Sequence, residues 1–234
     1  MRLRIPGIFL LTSLVLGTFI LPAGATTISA PFARMKGVIT KGDTQHSVRW
    51  TATDDEVSSH LTVITDAGRT VGRQNYIYSN ASGQQGTAVV EFVKNTIYAR
   101  GDALVLNMFF EMPAATATTL ANRWFIVPKS NPKYALWLEG LTIPSAIDQF
   151  AMTNPVVTNP TSVVNGQTAG VLSGTSAGTP GDPPIGEILY YRSTGSPLPV
   201  EVTQNRPGLF ATVTFSRWNV PVVIGVPRTK LLYP

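Results

Sequence analysis

The stretch EILYYRSTGSPLPVEVTQ, residues 187–204, alternates apolar and polar side chains on both sides of a Thr-Gly-Ser-Pro break. Alternation with a period of two is typical of a β-strand that buries one face. The break supplies the glycine and proline that favour a turn. The stretch therefore predicts a strand, a turn and a returning strand, which together form a β-hairpin.

Alternating runs of the same kind recur on both sides of the middle of the chain. The early runs are 46–53, 59–65, 70–79, 86–93 and 96–110, and the late runs are 162–175, 186–193, 198–204, 209–218 and 221–226. Short turn signals separate the early runs, as in an antiparallel meander. The pattern predicts one antiparallel sheet of about ten strands, and so a mainly β (α+β) fold.

The segment from Pro113 to Met152 has a different character and predicts two or three short helices. It opens with a proline and several alanines, which suit the first turn of a helix. Further on, Tyr134, Leu138 and Leu141 follow one another at the spacing of one helical face, and Trp137 adjoins that stripe.

The beginning of the chain predicts an export signal. Arg2 and Arg4 precede a mostly apolar, uncharged run from Ile8 to Leu21, and small residues follow up to Ala25. A membrane-spanning helix needs about 20 apolar residues, so the run is short for an anchor. Cleavage between Ala25 and Thr26 is preferred over an uncleaved anchor.

These features divide the chain into a signal peptide at 1–25, an N-terminal extension at 26–45 and a single domain at 46–234. The expected location is the cell envelope or the medium. No cysteine is available for lipid attachment, so no covalent anchor is expected. A monomer is expected.

Composition argues against several classes of function. Charged residues make up 13% of the chain, against roughly 25% in ordinary soluble domains, and the net charge of +5 is scattered rather than clustered. A nucleic-acid interface is therefore not expected. Without cysteine there is no disulfide framework, thiol nucleophile or cysteine-based zinc site.

The two histidines do not suggest chemistry either. His46 and His60 lie in strand-like segments without a serine motif or carboxylate cluster at a useful spacing. We expect no catalytic residue, no metal site, no cofactor and no enzymatic activity.

The C-terminal third resembles the last hairpin and following strand of actinobacterial cell-envelope lipoproteins of the LppX/LprG type, which have a LolA-like fold. The residues that carry the resemblance are Leu189, Tyr190, Gly195, Pro197, Leu198, Pro199, Val200, Phe215, Ser216, Trp218, Pro221, Val222 and Pro227. Weaker likenesses extend it over roughly 46–230. The chain lacks the cysteine that carries the lipid in that family.

The resemblance implies a strongly curved antiparallel half-barrel whose concave face is covered by short helices, with an apolar cavity between them. It also implies binding or carrying of lipid acyl chains, with an envelope transporter or the membrane surface as a further partner. The alternative is an interaction or structural protein of the same fold with a filled core and no ligand.

If a ligand is carried, the expected cavity lining comes from the middle helices and from the facing strand. The predicted strand 96–110 places alternate residues on one face, because side chains alternate along a strand. The predicted lining residues are Leu104, Leu106, Met108, Phe110, Tyr134, Trp137, Leu138 and Leu141.

Overall fold

The structure, a computed structural model, describes residues 29–56, 59–176, 184–206, 209–228 and 231–233. The predicted signal peptide and its cleavage site at Ala25 and Thr26 lie outside the described residues.

The segments in which apolar and polar side chains alternate form a single sheet. Within the described residues it has twelve strands, which are β1 (Ser47–Glu56), β2 (Ser59–Gly68), β3 (Gly72–Asn80), β4 (Gln85–Val93), β5 (Thr96–Gly101), β6 (Phe125–Val127), β7 (Thr153–Val164), β8 (Gln167–Ser176), β9 (Ile185–Arg192), β10 (Pro199–Arg206), β11 (Leu209–Ser216) and β12 (Leu231–Leu232). Their order across the sheet is β12-β6-β5-β4-β3-β2-β1-β11-β10-β9-β8-β7. Neighbours are antiparallel except β12 and β6, which are parallel. The sheet is open, and the predicted mainly β, half-barrel fold is confirmed.

The two faces of the sheet differ as the period of two requires. In β2, Leu61, Val63 and Ala67 are buried on the concave face, where they join the main core. The opposite, convex face carries cross-strand ion pairs, such as Arg49 with Asp66 at 2.6 Å between nitrogen and oxygen. The apolar face must therefore be covered by another layer.

Helices supply that layer. Among the described residues they are α1 (Ala30–Asp43), α2 (Ala103–Phe109), α3 (Ala114–Leu120), α4 (Tyr134–Leu138), α5 (Ile143–Ile147) and a 3-10 turn (Asp148–Phe150). The helices α2 to α5 are called the lid below. α2 contacts β4, and α5 contacts β1 and β2. None of the described helices has both the length and the apolarity needed to cross a membrane.

α1 lies inside the segment predicted as an N-terminal extension. Its residues Met35, Val38 and Ile39 are buried in the main core, and the helix contacts β7 and β10. The folded layer therefore includes residues that sequence reasoning placed outside the domain at 46–234.

A turn or bulge was expected at Gly101 and Asp102, but the prediction that the run continues as a strand to Phe110 was wrong. β5 ends at Gly101, and α2 begins two residues later with Asp102 as its N-cap. One carboxylate oxygen of Asp102 accepts a hydrogen bond from the backbone nitrogen of Val105 at 3.0 Å. A short apolar run does not distinguish a strand from a buried helix by periodicity alone, and here the cap decides for the helix.

Two further strand boundaries differ from the prediction. β7 begins at Thr153 and includes the Asn-Pro steps, with register irregularities against β8 between Thr153 and Val157 and between Asn159 and Ser162. Proline is tolerated there because β7 is an edge strand. The predicted strand 221–226 is not regular secondary structure.

The hairpin of residues 187–204 is confirmed as β9 and β10. Cross-strand partners include Val202 with Leu189 and Gln204 with Glu187, and a register shift lies between Pro199 and Glu201. Leu189 and Val202 are fully buried in the core. The hairpin is therefore part of the wall of the concave face.

Candidate ligand-binding site

The eight predicted lining residues all lie at the contact between the lid and the concave face of the sheet. Leu106, Phe110, Trp137 and Leu141 are buried in the main core. Leu104, Met108, Tyr134 and Leu138 are partly buried and pack against it. The structure thus brings residues in and next to α2 and α4 together, although Leu104, Leu106 and Met108 are helical rather than alternating on a strand, and Phe110 directly follows the helix.

Aromatic rings fill the space between the lid and the sheet. The rings of Phe110 and Trp137 are stacked, with centroids 3.9 Å apart and planes at 8°. Phe125 meets Trp137 edge-on at 5.7 Å, and Tyr76 meets Phe110 edge-on at 5.1 Å. Trp137 is 0% exposed. It contacts β6 through Phe125, and Phe110 connects it to Tyr76 in β3.

Trp137 also has an unsatisfied polar atom. Its Nε1 is buried and donates no hydrogen bond to any described residue. Buried indole N–H groups usually have a partner. The contact between the lid and the sheet therefore contains a buried hydrogen-bond donor that has no partner among the described residues.

A second contact of the lid with the sheet was missed by sequence reasoning. Phe109 packs edge-on against Tyr78 with centroids 5.3 Å apart, and it approaches Tyr76 at 6.3 Å. Strand parity placed Phe109 on the face opposite to Phe110, whereas helical geometry lets both reach the sheet. An aspartate just before an apolar run, here Asp102, is the signal that would have identified the helix.

Polar contacts fix the turn between α4 and α5 on the sheet. Trp50 Nε1 donates to the carbonyl oxygen of Gly140 at 3.1 Å, and Gln74 Nε2 donates to that of Glu139 at 2.9 Å. Gly140 has a φ of +70°, and a side chain there would meet the Trp50 ring. These bonds orient α4, and with it Trp137, over the concave face.

Electrostatics at this turn are governed by burial. Glu139 is 7% exposed, and its desolvation raises the pKa of the carboxyl group to about 8. Desolvation also raises the pKa of the neighbouring Tyr76 hydroxyl group, with a further contribution from the charge of Glu139. Both groups therefore favour their neutral forms.

Two open depressions on the surface lie outside the set of eight predicted residues. One of about 310 Å³ is lined by Arg49, Asp66, Arg73 and the segment Val220–Ile224. A second of about 370 Å³ is lined by residues that include Arg192, Arg217 and Trp218. Neither involves any of the eight predicted residues.

Across the part of the chain that the structure describes, no group of three or more His, Asp or Glu residues could hold a metal ion. His46 and His60 are both exposed.

Comparison with known proteins gives a fold. No protein-family model matches the chain, and no curated protein matches its sequence. Among solved structures, LprF from Mycobacterium bovis is similar with a TM-score of 0.55 and 10% identity, over 84% of this chain and 96% of LprF. The Mycobacterium tuberculosis lipoprotein LppX is similar with a TM-score of 0.53 and 12% identity, over 84% of this chain and 98% of LppX.

Identities this low establish a shared architecture rather than a shared ligand. The sequence resemblance, to which Gly195, Pro197 and Trp218 contribute, predicted this fold, and the fold is thereby confirmed. The chain has the LolA-like half-barrel fold of these actinobacterial lipoproteins.

Proposed function

We propose that the protein binds an apolar ligand, such as the acyl chain of a lipid, between the lid and the concave face of the sheet, without catalysing a reaction. The observation that carries the proposal is the rim of partly exposed apolar residues around the filled aromatic centre. These residues are Leu104, Met108, Phe109, Tyr134 and Leu138. They offer an apolar entrance to the Phe110–Trp137 stack.

The lid is suited to opening. Its helices have only five or seven residues, which is too short for independent stability, so their order depends on packing. Elements of this kind belong to the least stable part of a fold and open locally. An acyl chain that replaced the ring contacts would gain about 0.8 kcal/mol for each buried methylene. The Trp137 N–H group would in addition suit an ester carbonyl.

A filled core without a ligand is the second candidate. It is favoured by the close stacking of Phe110 on Trp137 and by the complete burial of both rings. In that case the same fold has an interaction or structural role. The lid residues then stabilise the fold and do not bind a ligand.

A substitution at the rim separates the two. Leu138 is partly buried, so a Leu138→Trp side chain can extend towards solvent while obstructing the entrance between α4 and its neighbours. We expect this variant to keep the wild-type unfolding midpoint and to lose at least about tenfold in affinity for a fluorescent fatty-acid analogue, which corresponds to about 1.4 kcal/mol.

The matched control is Ile77→Trp, which adds the same ring to the opposite face of the sheet, where Ile77 is 48% exposed. It should change neither stability nor affinity. A folded Leu138→Trp protein that binds the analogue as wild type does would contradict the proposed entrance, and absence of binding by the wild type would favour the filled core.

The setting that we propose for this activity is outside the cytoplasm. It supposes export through residues 1–25, with release after Ala25, and action in the cell envelope or the medium. An envelope transporter or the membrane surface would then supply or receive the ligand.

A further inference from the structure

A carboxyl group lies among apolar side chains on the concave face of the hairpin that forms the sheet wall. Glu187 is in β9, on the same face as Ile185 and Leu189, and only 2% of its surface is exposed. Charged residues are almost never buried to this extent unless they are paired. Across the described residues, Glu187 forms no ion pair.

The two oxygens of this carboxyl group have different environments. Oε1 accepts hydrogen bonds from Gln204 Nε2 at 2.6 Å and from Ser176 Oγ at 2.9 Å. Oε2 is equally buried and has no hydrogen-bond partner among the described residues. Because Oε1 is held from two sides, the position and orientation of Oε2 are fixed.

This arrangement costs stability in the protein alone. Burial raises the pKa of Glu187 to about 7, although the hydrogen bonds from Gln204 and Ser176 act in the opposite direction. A buried acceptor without a donor carries a desolvation penalty that a partner would remove. A group held in place at such a cost is characteristic of a functional site.

Polar residues continue from Glu187 along one row of the concave face. Glu187 is the cross-strand partner of Gln204, and both Gln204 and Asp54 are cross-strand partners of Ala211. Gln204 and Asp54 are 5% and 3% exposed. With strands about 4.8 Å apart, the row spans about 14 Å from Glu187 to Asp54. Ala211 separates Gln204 from Asp54, so the continuous polar part of the row is Glu187 with Gln204.

We propose that Glu187, held by Gln204 and Ser176, receives a hydroxyl group of the ligand, so that the preferred ligand is a neutral lipid with a hydroxylated head group such as a glycerol or a sugar. This inference rests on the proposed function, because Glu187 lies on the concave face, where the ligand is proposed to bind. A hydroxyl group supplies the one donor that Oε2 lacks without bringing a second charge into an apolar environment.

Three ligands that have the same chain length but different head groups test the head-group preference. Wild-type protein is titrated with 1-monopalmitoylglycerol, methyl palmitate and hexadecylamine, and the dissociation constants are compared. We expect the glyceride to bind at least about tenfold more tightly than the methyl ester, a difference of about 1.4 kcal/mol. The amine should bind no better than the ester.

The variant Glu187→Leu should bind the glyceride and the ester equally, while its affinity for the ester remains that of the wild type. Glu201→Leu is the matched control, because Glu201 precedes the buried Val202 and is only half-buried on the other face of β10. It should keep the wild-type preference. Folding of both variants is checked by circular dichroism, and the wild-type comparison needs no variant.

Several outcomes would overturn the inference. Equal binding of ester and glyceride by the wild type, a preference that survives in folded Glu187→Leu protein, or tightest binding of the amine each excludes a hydroxyl site at Glu187. These results would leave apolar binding intact. Binding of none of the three ligands would overturn both this inference and the proposed function.

Discussion

Gly72→Ala is expected to destabilise the protein by about 3 kcal/mol or more, at the upper end of the range for overpacked sites. A β-carbon at Gly72 in β3 would lie 1.8 Å from the carbonyl oxygen of Leu141 and 2.8 Å from its carbonyl carbon. These are backbone atoms of the lid, so no side-chain rotation relieves the clash. Either β3 or the connection between α4 and α5 must move.

Urea denaturation followed by circular dichroism measures this loss. Gly37→Ala is the matched control, because Gly37 is in the interior of α1 and a β-carbon there meets no atom within 4 Å. Alanine at an exposed helical position should stabilise the protein by about 0.5–1 kcal/mol. Wild-type stability for Gly72→Ala would show that the lid does not rest on β3 as described.

The protein is expected to become more stable as the pH falls from 8 to 5. The pKa of Glu139 is raised by burial from 4.5 to about 8, and that of Glu187 from 4.5 to about 7. Asp43 acts in the same direction, because burial and a hydrogen bond with Asp148 raise its pKa to about 7. The folded state therefore binds protons more tightly than the unfolded state, and stability is lost as pH rises through this window.

Glu187→Gln should remove part of this dependence. The shift from 4.5 to about 7 corresponds to about 3 kcal/mol at most, so the variant should exceed wild-type stability at pH 8 and match it at pH 5. Glu201→Gln should flatten the pH profile of stability less, because Glu201 is only half-buried. Burial raises the pKa of Glu201 in the same direction. The midpoints of urea unfolding, measured for each protein at pH 5 and pH 8, test these expectations. A wild type that is less stable at pH 5 than at pH 8 would contradict the described burial.

Sequence patterns were sufficient where a strand has one wet and one dry face. In β10, Val202 is buried between the more exposed Glu201 and Thr203, so the alternation is visible in the sequence. β9 is less regular, because Glu187 is buried and Ile188 is 36% exposed. The helix α1 was missed for the opposite reason. It lies close to the predicted signal peptide, and Met35, Val38 and Ile39 were not recognised as one buried helical face.

The candidate site could be predicted only where local spacing determines a face. The stripe of Tyr134, Leu138 and Leu141 predicted a helix, and α4 includes the first two of these residues. The pairing of Phe110 with Trp137 could not be predicted, because it joins two elements whose relative position depends on tertiary packing. The same holds for Glu187, since its partners Ser176 and Gln204 come from neighbouring strands.

Native mass spectrometry of the protein secreted by its own host tests the central proposal most directly. The expected spectrum contains a complex of one chain with an apolar ligand, which collisional activation separates into the ligand and a chain that begins at Thr26. Ligand-free protein, unchanged after incubation with vesicles of the host's lipids, would contradict the binding of an apolar ligand. A chain that retains Met1 would contradict cleavage after Ala25.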